Sequence, residues 1–178
     1  YQHYNKIANE VDIPQILYNV PGRTSVDMLP ETVSRLSAHE NIVGIKEASG
    51  NKERSQTLMR LCSKNIKIFT GDDKTSMGDI IDGFSGNISV TANVAPKMMH
   101  EMCQFAATGD TTKALELNNN LDILHDSLFC ESNPIPVKWC LHRMGLIKKG
   151  IRLPLTWMDE QYDDTMNKAL HKSGVLSE

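Results

Sequence analysis

Four short apolar runs, each followed by a stretch with helical spacing, recur through the first hundred or so residues of the chain. They are Ile16-Leu17-Tyr18-Asn19-Val20, Ile42-Val43-Gly44-Ile45-Lys46, Ile66-Lys67-Ile68-Phe69-Thr70 and Asn87-Ile88-Ser89-Val90-Thr91. The runs are nearly continuous in apolar character rather than cleanly alternating, as in parallel strands. Pro21-Gly22, Gly50 and Gly71-Asp72-Asp73 stop the first three. Apolar stripes at helical spacing come next: Val33 and Leu36 after Pro30, then Leu58, Met59, Leu61 and Cys62, then Met77, Ile80 and Ile81, then Met98, Met102 and Phe105. Strand–helix units in series predict an α/β chain with a parallel sheet and helices packed outside it.

After Gly109 the strands stop. Asp110-Thr111-Thr112 caps a predicted long helix with Ala114, Leu117, Leu121, Leu124 and Leu128 on one face. Asn133-Pro134-Ile135-Pro136 opens another, and a last one runs from about Asp159 to Lys172 before Gly174. The expected division is therefore 1–109 for the strand–helix part and 110–178 for a helical part. At the other end, Tyr1, Tyr4, Ile7/Ala8 and Val11 recur at helical spacing with no capping residue before them, so the chain is expected to start inside a helix or at its edge. Its 178 residues suit one domain. A complete (β/α)8 barrel usually needs ~250 and at least ~200.

Nineteen basic against 22 acidic residues, with no basic run beyond Lys148-Lys149, leave no electrostatic footprint for nucleic acid. No stretch approaches the ~18 consecutive apolar residues of a membrane span, and no charged-then-apolar leader opens the chain. Cys62, Cys103, Cys130 and Cys140 lack the spacing of zinc or redox sites. Cys103 among Met98, Met99, Met102 and Phe105, and Cys140 beside Trp139, are expected to be buried free thiols, which suits a reducing cytoplasm.

Ligands of parallel α/β folds gather at the carboxyl ends of the strands. Lys46 is the outlier there, a lysine directly after the apolar Ile42–Ile45. A dehydrated ammonium loses its proton more readily, and the free amine can attack a ketone to form a Schiff base. The same lysine could instead snorkel to solvent or pair with a carboxylate. Tyr18 is either a proton relay or an aromatic filling the sheet end. Arg23, on the loop after Pro21-Gly22, could clamp a carboxylate or simply be solvated. Asp72 and Asp73 suit a hard cation less well than a helix cap. Gly83-Phe84-Ser85-Gly86 matches no phosphate loop, the six histidines form no metal motif, and Ser89 has no triad partner, so neither a cofactor nor a metal is expected.

Several blocks together carry a resemblance. Tyr18-Asn19-Val20-Pro21-Gly22-Arg23-Thr24, Gly44-Ile45-Lys46-Glu47-Ala48-Ser49-Gly50, Gly71-Asp72-Asp73 and Ile88-Ser89-Val90-Thr91-Ala92-Asn93 resemble the dihydrodipicolinate synthase (4-hydroxy-tetrahydrodipicolinate synthase) family. Asn133-Pro134-Ile135-Pro136-Val137-Lys138 and Arg152-Leu153-Pro154-Leu155 are similar to it too, in the same order along nearly the whole chain.

The resemblance implies a class I, pyruvate-dependent aldolase on a (β/α)8 barrel with a C-terminal helical domain. It implies that Lys46 condenses with pyruvate, that Tyr18 relays protons at the Schiff base, and that Arg23 holds the carboxylate of aspartate semialdehyde. Gly71 and Ile88 match positions whose backbone lines the pocket. The superfamily includes N-acetylneuraminate lyase, which shares the lysine and the tyrosine; Arg23 and the Glu47-Ala48-Ser49-Gly50 continuation favour the dipicolinate branch. Within that family the matching blocks belong to strands five to eight. The chain is thus expected to be the C-terminal half of the barrel, lacking the pyruvate-binding threonines and the tyrosine lent by a neighbouring subunit. The alternatives are another pyruvate aldolase or a catalytically incomplete half-barrel with a structural or assembly role. Homo-oligomerisation, a missing N-terminal half-barrel as partner, and the lysine/diaminopimelate route are further implications.

Overall fold

A computed structural model describes residues 1–177, which pack as two compact units, 1–88 and 89–177. The first holds a parallel sheet in the order β1-β2-β3-β4, formed by β1 (Gln15–Asn19), β2 (Ile42–Glu47), β3 (Lys67–Thr70) and β4 (Gly86–Asn87). Helix α1 (Gln2–Glu10) precedes the sheet; α2 (Pro21–Thr24) and α3 (Pro30–Leu36) join β1 to β2; α4 (Lys52–Cys62) and α5 (Ser76–Ile81) make the next two crossovers. Pro stands in the first turn of α2 and of α3, where its missing N–H costs nothing. Asn51 caps α4 by accepting from the Arg54 N–H at 3.0 Å.

The two faces of this sheet differ. Leu17, Ile45 and Ile68 point to the helix side and are at most 2% exposed, in the same layer as Val33 and Leu36 of α3 and Leu58 of α4. The alternate residues share the other face. A Cβ built on Gly44 would touch Ile16 at 3.5 Å and the Phe69 ring at 3.4 Å. Ile16 is 49% exposed, Tyr18 44% and Ile88 39%, so this second face is open in the chain. The apolar stripe expected on α1 is also largely uncovered: Ala8 is buried, whereas Tyr1, Ile7 and Val11 are exposed.

The fourth strand departs from expectation. Only Gly86–Asn87 pairs with β3, and Thr91–Asn93, expected to end the strand and lead out of it, forms a 3-10 turn. Ser89 Oγ accepts from the Ala92 N–H at 2.8 Å, and the Val94 and Ala95 N–H groups both reach the Thr91 carbonyl at 2.9 Å, so these backbone groups are bonded locally.

In the second unit α6 (Pro96–Thr108) and α7 (Thr111–Ser127) pack together as a hairpin turned by Gly109, whose φ of 82° is left-handed. The Asp110 carboxylate accepts from the Lys113 N–H and caps α7. Helices α8 (Ile135–Arg143) and α9 (Asp163–Lys172) follow, with Met166, Ala169 and Leu170 of α9 wholly buried. Helix α6 packs on α7, and the two compact units meet at Ile88/Ser89. None of the four cysteines forms a disulfide; Cys140 is buried as expected, and so is Cys62, but Cys103 is half-buried, since the inner stripe of α6 is Met99, Met102 and Ala106.

Candidate active site

Parallel pairing brings the carboxyl ends of all four strands to one end of the sheet. Register places Tyr18 beside Lys46, Lys46 beside Phe69, and Asn19 beside Glu47. The Lys46 Nζ lies 4.5 Å from the centroid of the Tyr18 ring, on the open face. Burial lowers the Lys46 pKa below its ordinary 10.5, and the nearby Asp73 carboxylate opposes part of that fall. Asp73 is 3% exposed and is held by the Asn87 side-chain amide, which donates to Oδ1 at 2.8 Å. The result is a lysine poised toward the free amine, with one buried anion within electrostatic reach.

Gly71 explains why the lysine can lie where it does. A Cβ there would stand 2.5 Å from Lys46 Cε and 2.7 Å from Ala48 Cβ, closer than atoms pack. The Gly71 N–H donates to the Glu47 carbonyl at 2.7 Å, so this backbone is stitched to β2 immediately after Lys46. Lys46, Tyr18 and Gly71 are therefore brought together.

Arg23 and Ile88 are placed at the same end of the sheet by topology. Arg23 is exposed on α2, which begins two residues after β1, and Ile88 directly follows β4, its N–H donating to the Thr70 carbonyl at 2.9 Å. Asp72 Oδ1 accepts from the Thr75 N–H at 3.1 Å, capping the turn that leads into α5, while Asp73 serves Asn87 and Lys46 instead. Among the described residues no group of three or more His, Cys, Asp and Glu side chains could hold a metal ion.

A buried polar chain behind the lysine escaped detection from sequence. Asn19 and Glu47, 2% and 4% exposed, stand one residue after Tyr18 and Lys46. The Asn19 amide donates to Glu47 Oε2 at 3.0 Å and to Asp27 Oδ1 at 3.1 Å, and its carbonyl oxygen accepts from the Met28 N–H at 3.0 Å. Arg54 donates to Asp27 Oδ2 and to the Met28 carbonyl. Each ends its strand, where a polar residue is ordinary, so no local signal marks the pair.

A parallel strand–helix sheet whose open face carries a partly dehydrated lysine at a strand's carboxyl end defines an α/β protein of the strand-lysine kind. The chain belongs to the dihydrodipicolinate synthetase family, whose model matches residues 1–173. A 4-hydroxy-tetrahydrodipicolinate synthase of Pseudomonas syringae pv. syringae is 54% identical over 176 residues, and that of Alcanivorax borkumensis 55% over 176; each alignment takes in 99% of this chain and 60% of the relative. The chloride-inhibited dihydrodipicolinate synthase of Acinetobacter baumannii, solved in complex with pyruvate, superposes with a TM-score of 0.96 at 51% identity, over 99% of this chain and 60% of that one. The Thermotoga maritima dihydrodipicolinate synthase gives 0.95 at 39% identity, over 99% and 61%. The chain thus spans about 60% of the length of these relatives. No helix among the described residues is long and apolar enough to cross a membrane.

Proposed function

We propose that this chain is the lysine-bearing portion of a pyruvate-dependent aldolase, a synthase that condenses pyruvate with aspartate semialdehyde to 4-hydroxy-tetrahydrodipicolinate on the route to diaminopimelate and lysine. The observation that carries the proposal is Lys46: an amine whose pKa burial lowers, on the open face of a parallel sheet, 4.5 Å from the Tyr18 ring. The free amine adds to the pyruvate ketone and loses water to give an iminium. Loss of a methyl proton then gives an enamine that attacks the aldehyde carbon, and the product cyclises. Tyr18 carries protons at the Schiff base. Arg23 binds the carboxylate of the aldehyde, and the backbone of Gly71 and Ile88 lines the pocket. The match to 60% of each relative and the open sheet face support completion by further strands as a (β/α)8 barrel, with the chain as its back half, in a cytoplasmic homo-oligomer.

Borohydride reduction in the presence of pyruvate, read by peptide mass spectrometry, tests the assignment. A pyruvate-derived mass is expected on Lys46, with trapping half-maximal at a pH below the 10.5 of a solvated lysine. An adduct on another lysine, or one that survives Lys46→Ala, overturns it. Offering aspartate semialdehyde against N-acetylmannosamine then separates the synthase from a lyase of the N-acetylneuraminate type. The exposure of Ile16, Tyr18 and Ile88 favours one second reading, an incomplete half-barrel that waits for a partner before it can turn over. Single-turnover trapping without multiple turnover is the outcome that reading predicts.

A further inference from the structure

The chain of buried polar groups behind the sheet has a geometry that exceeds what holding two strands together requires. Parallel β1 and β2 are already paired through their backbones from Gln15 to Asn19. Asn19 nevertheless uses both amide hydrogens and its carbonyl oxygen, and its three bonds reach two separate pieces of backbone. One piece is Glu47, the residue after Lys46. The other is Asp27-Met28, on the loop that follows Arg23 and α2. Glu47 in turn spends its second oxygen on the Ser49 N–H at 2.8 Å, so it fixes the turn leaving β2 as well. Arg54, from α4, closes the far end by binding both Asp27 and the Met28 carbonyl.

We propose that Asn19 and Glu47, tied down by Asp27 and Arg54, form a positioning clamp that sets Lys46 against Tyr18 and fixes the loop that follows Arg23 and α2. The physical case is one of directionality and cost. An amide NH2 that bridges two carboxylates cannot be replaced by a carboxylate or a hydrocarbon without leaving a buried acceptor unpaired, at about 1–3 kcal/mol. Side chains of neighbouring residues in a strand leave opposite faces. Locking Asn19 and Glu47 on the helix side therefore dictates where Tyr18 and Lys46 stand on the open side. Neither clamp residue touches substrate; both act through their neighbours. The inference rests on the proposed role of Lys46 for its consequence in catalysis, while its geometric content is testable without turnover.

The test is a pH titration of Lys46 itself, in the 178-residue chain. Competitive acylation with acetic anhydride, resolved by peptide mass spectrometry, reports the free-amine fraction. Glu47→Gln keeps the shape of the side chain but turns one acceptor into a donor facing Asn19. It also removes a carboxylate from the residue that follows Lys46. A field effect alone would raise the free-amine fraction, because an anion stabilises the ammonium. Loss of positioning lets the amine reach water and lowers that fraction. A fall of about threefold or more at pH 7, equivalent to roughly half a pKa unit, is expected.

Ile80→Ala, a cavity in the same unit on α5, which contributes no residue to the clamp, should lower stability without moving this titration. If Glu47→Gln does not fold, Asp27→Asn decides the matter with the same opposition of signs, since Asp27 lies at the more exposed end of the clamp. An unchanged or raised free-amine fraction overturns the clamp, as does an equal fall in Ile80→Ala. Failure of pyruvate to trap on Lys46 in the unmodified chain would overturn the proposed function and leave the clamp result standing.

Discussion

At the scale of single residues, the candidate site turns on the space that Gly71 leaves empty. Most glycines in the chain serve turns, but here the constraint is steric: an added Cβ meets Lys46 Cε at 2.5 Å and Ala48 Cβ at 2.7 Å. The lysine stem can swing away; the Ala48 methyl, fixed to the backbone, cannot. Gly71→Ala is therefore expected to destabilise the first unit by about 1–3 kcal/mol, the usual cost of overpacking. It should also displace the amine from the Tyr18 ring. Denaturant unfolding gives the first quantity and the rate of borohydride trapping with pyruvate the second, and a variant that traps at the parental rate would contradict the steric account. Lys46 was legible from sequence because a charge next to an apolar run is anomalous by itself. Gly71 was legible only through family resemblance, and the Asn19–Glu47 contact not at all. That contact joins residues 28 apart, and either residue alone looks like an ordinary polar strand end.

Among the elements, legibility followed the locality of the signal. Helix starts came through well because capping is written in adjacent residues: Asp110 before α7, Pro30 at the head of α3. The fourth strand did not. Its β-branched Ile88, Val90 and Thr91 have the local propensity of a strand, yet the ladder with β3 ends at Asn87 and the Ile88 N–H. Side-chain and carbonyl bonds around Ser89 and Thr91 turn the backbone into a 3-10 helix instead. Tertiary context overrode propensity there. The crossover α4 offers a clean check on the local view. Its start rests on the Asn51 side chain accepting from Arg54 N–H, with Glu53 in the first turn favouring the helix dipole. Asn51→Ala should cost about 1 kcal/mol, seen as a lower denaturant midpoint with an unchanged slope, whereas Asn51→Asp should restore most of it. Arg54 also secures the clamp through Asp27, so a loss well beyond that figure in Asn51→Ala would mean that the cap and the clamp are coupled rather than independent.

For the whole chain, the decisive feature is the asymmetry of the sheet. One face is closed by α3 and α4; the other shows Ile16, Tyr18 and Ile88 to solvent, and β1 and β4 each have an unpaired edge. Sequence alone could not separate these faces, because the first three runs carry apolar residues on both sides, as expected of strands whose second face is meant to be covered. An uncovered apolar face with two open edges favours association when such a chain stands by itself. The 178-residue chain is accordingly expected to bind the dye ANS and to sediment as more than a monomer at micromolar concentration. Ile16→Thr, on the open face, should reduce both effects while changing stability by no more than about 0.5 kcal/mol, because the side chain is already half in water. Leu17→Thr, one residue on and 2% exposed, should instead cost about 2 kcal/mol or more and leave the association surface in place. If the two substitutions exchanged these effects, the face assigned as open would be the wrong one, and Lys46 would have to be sought on the covered side.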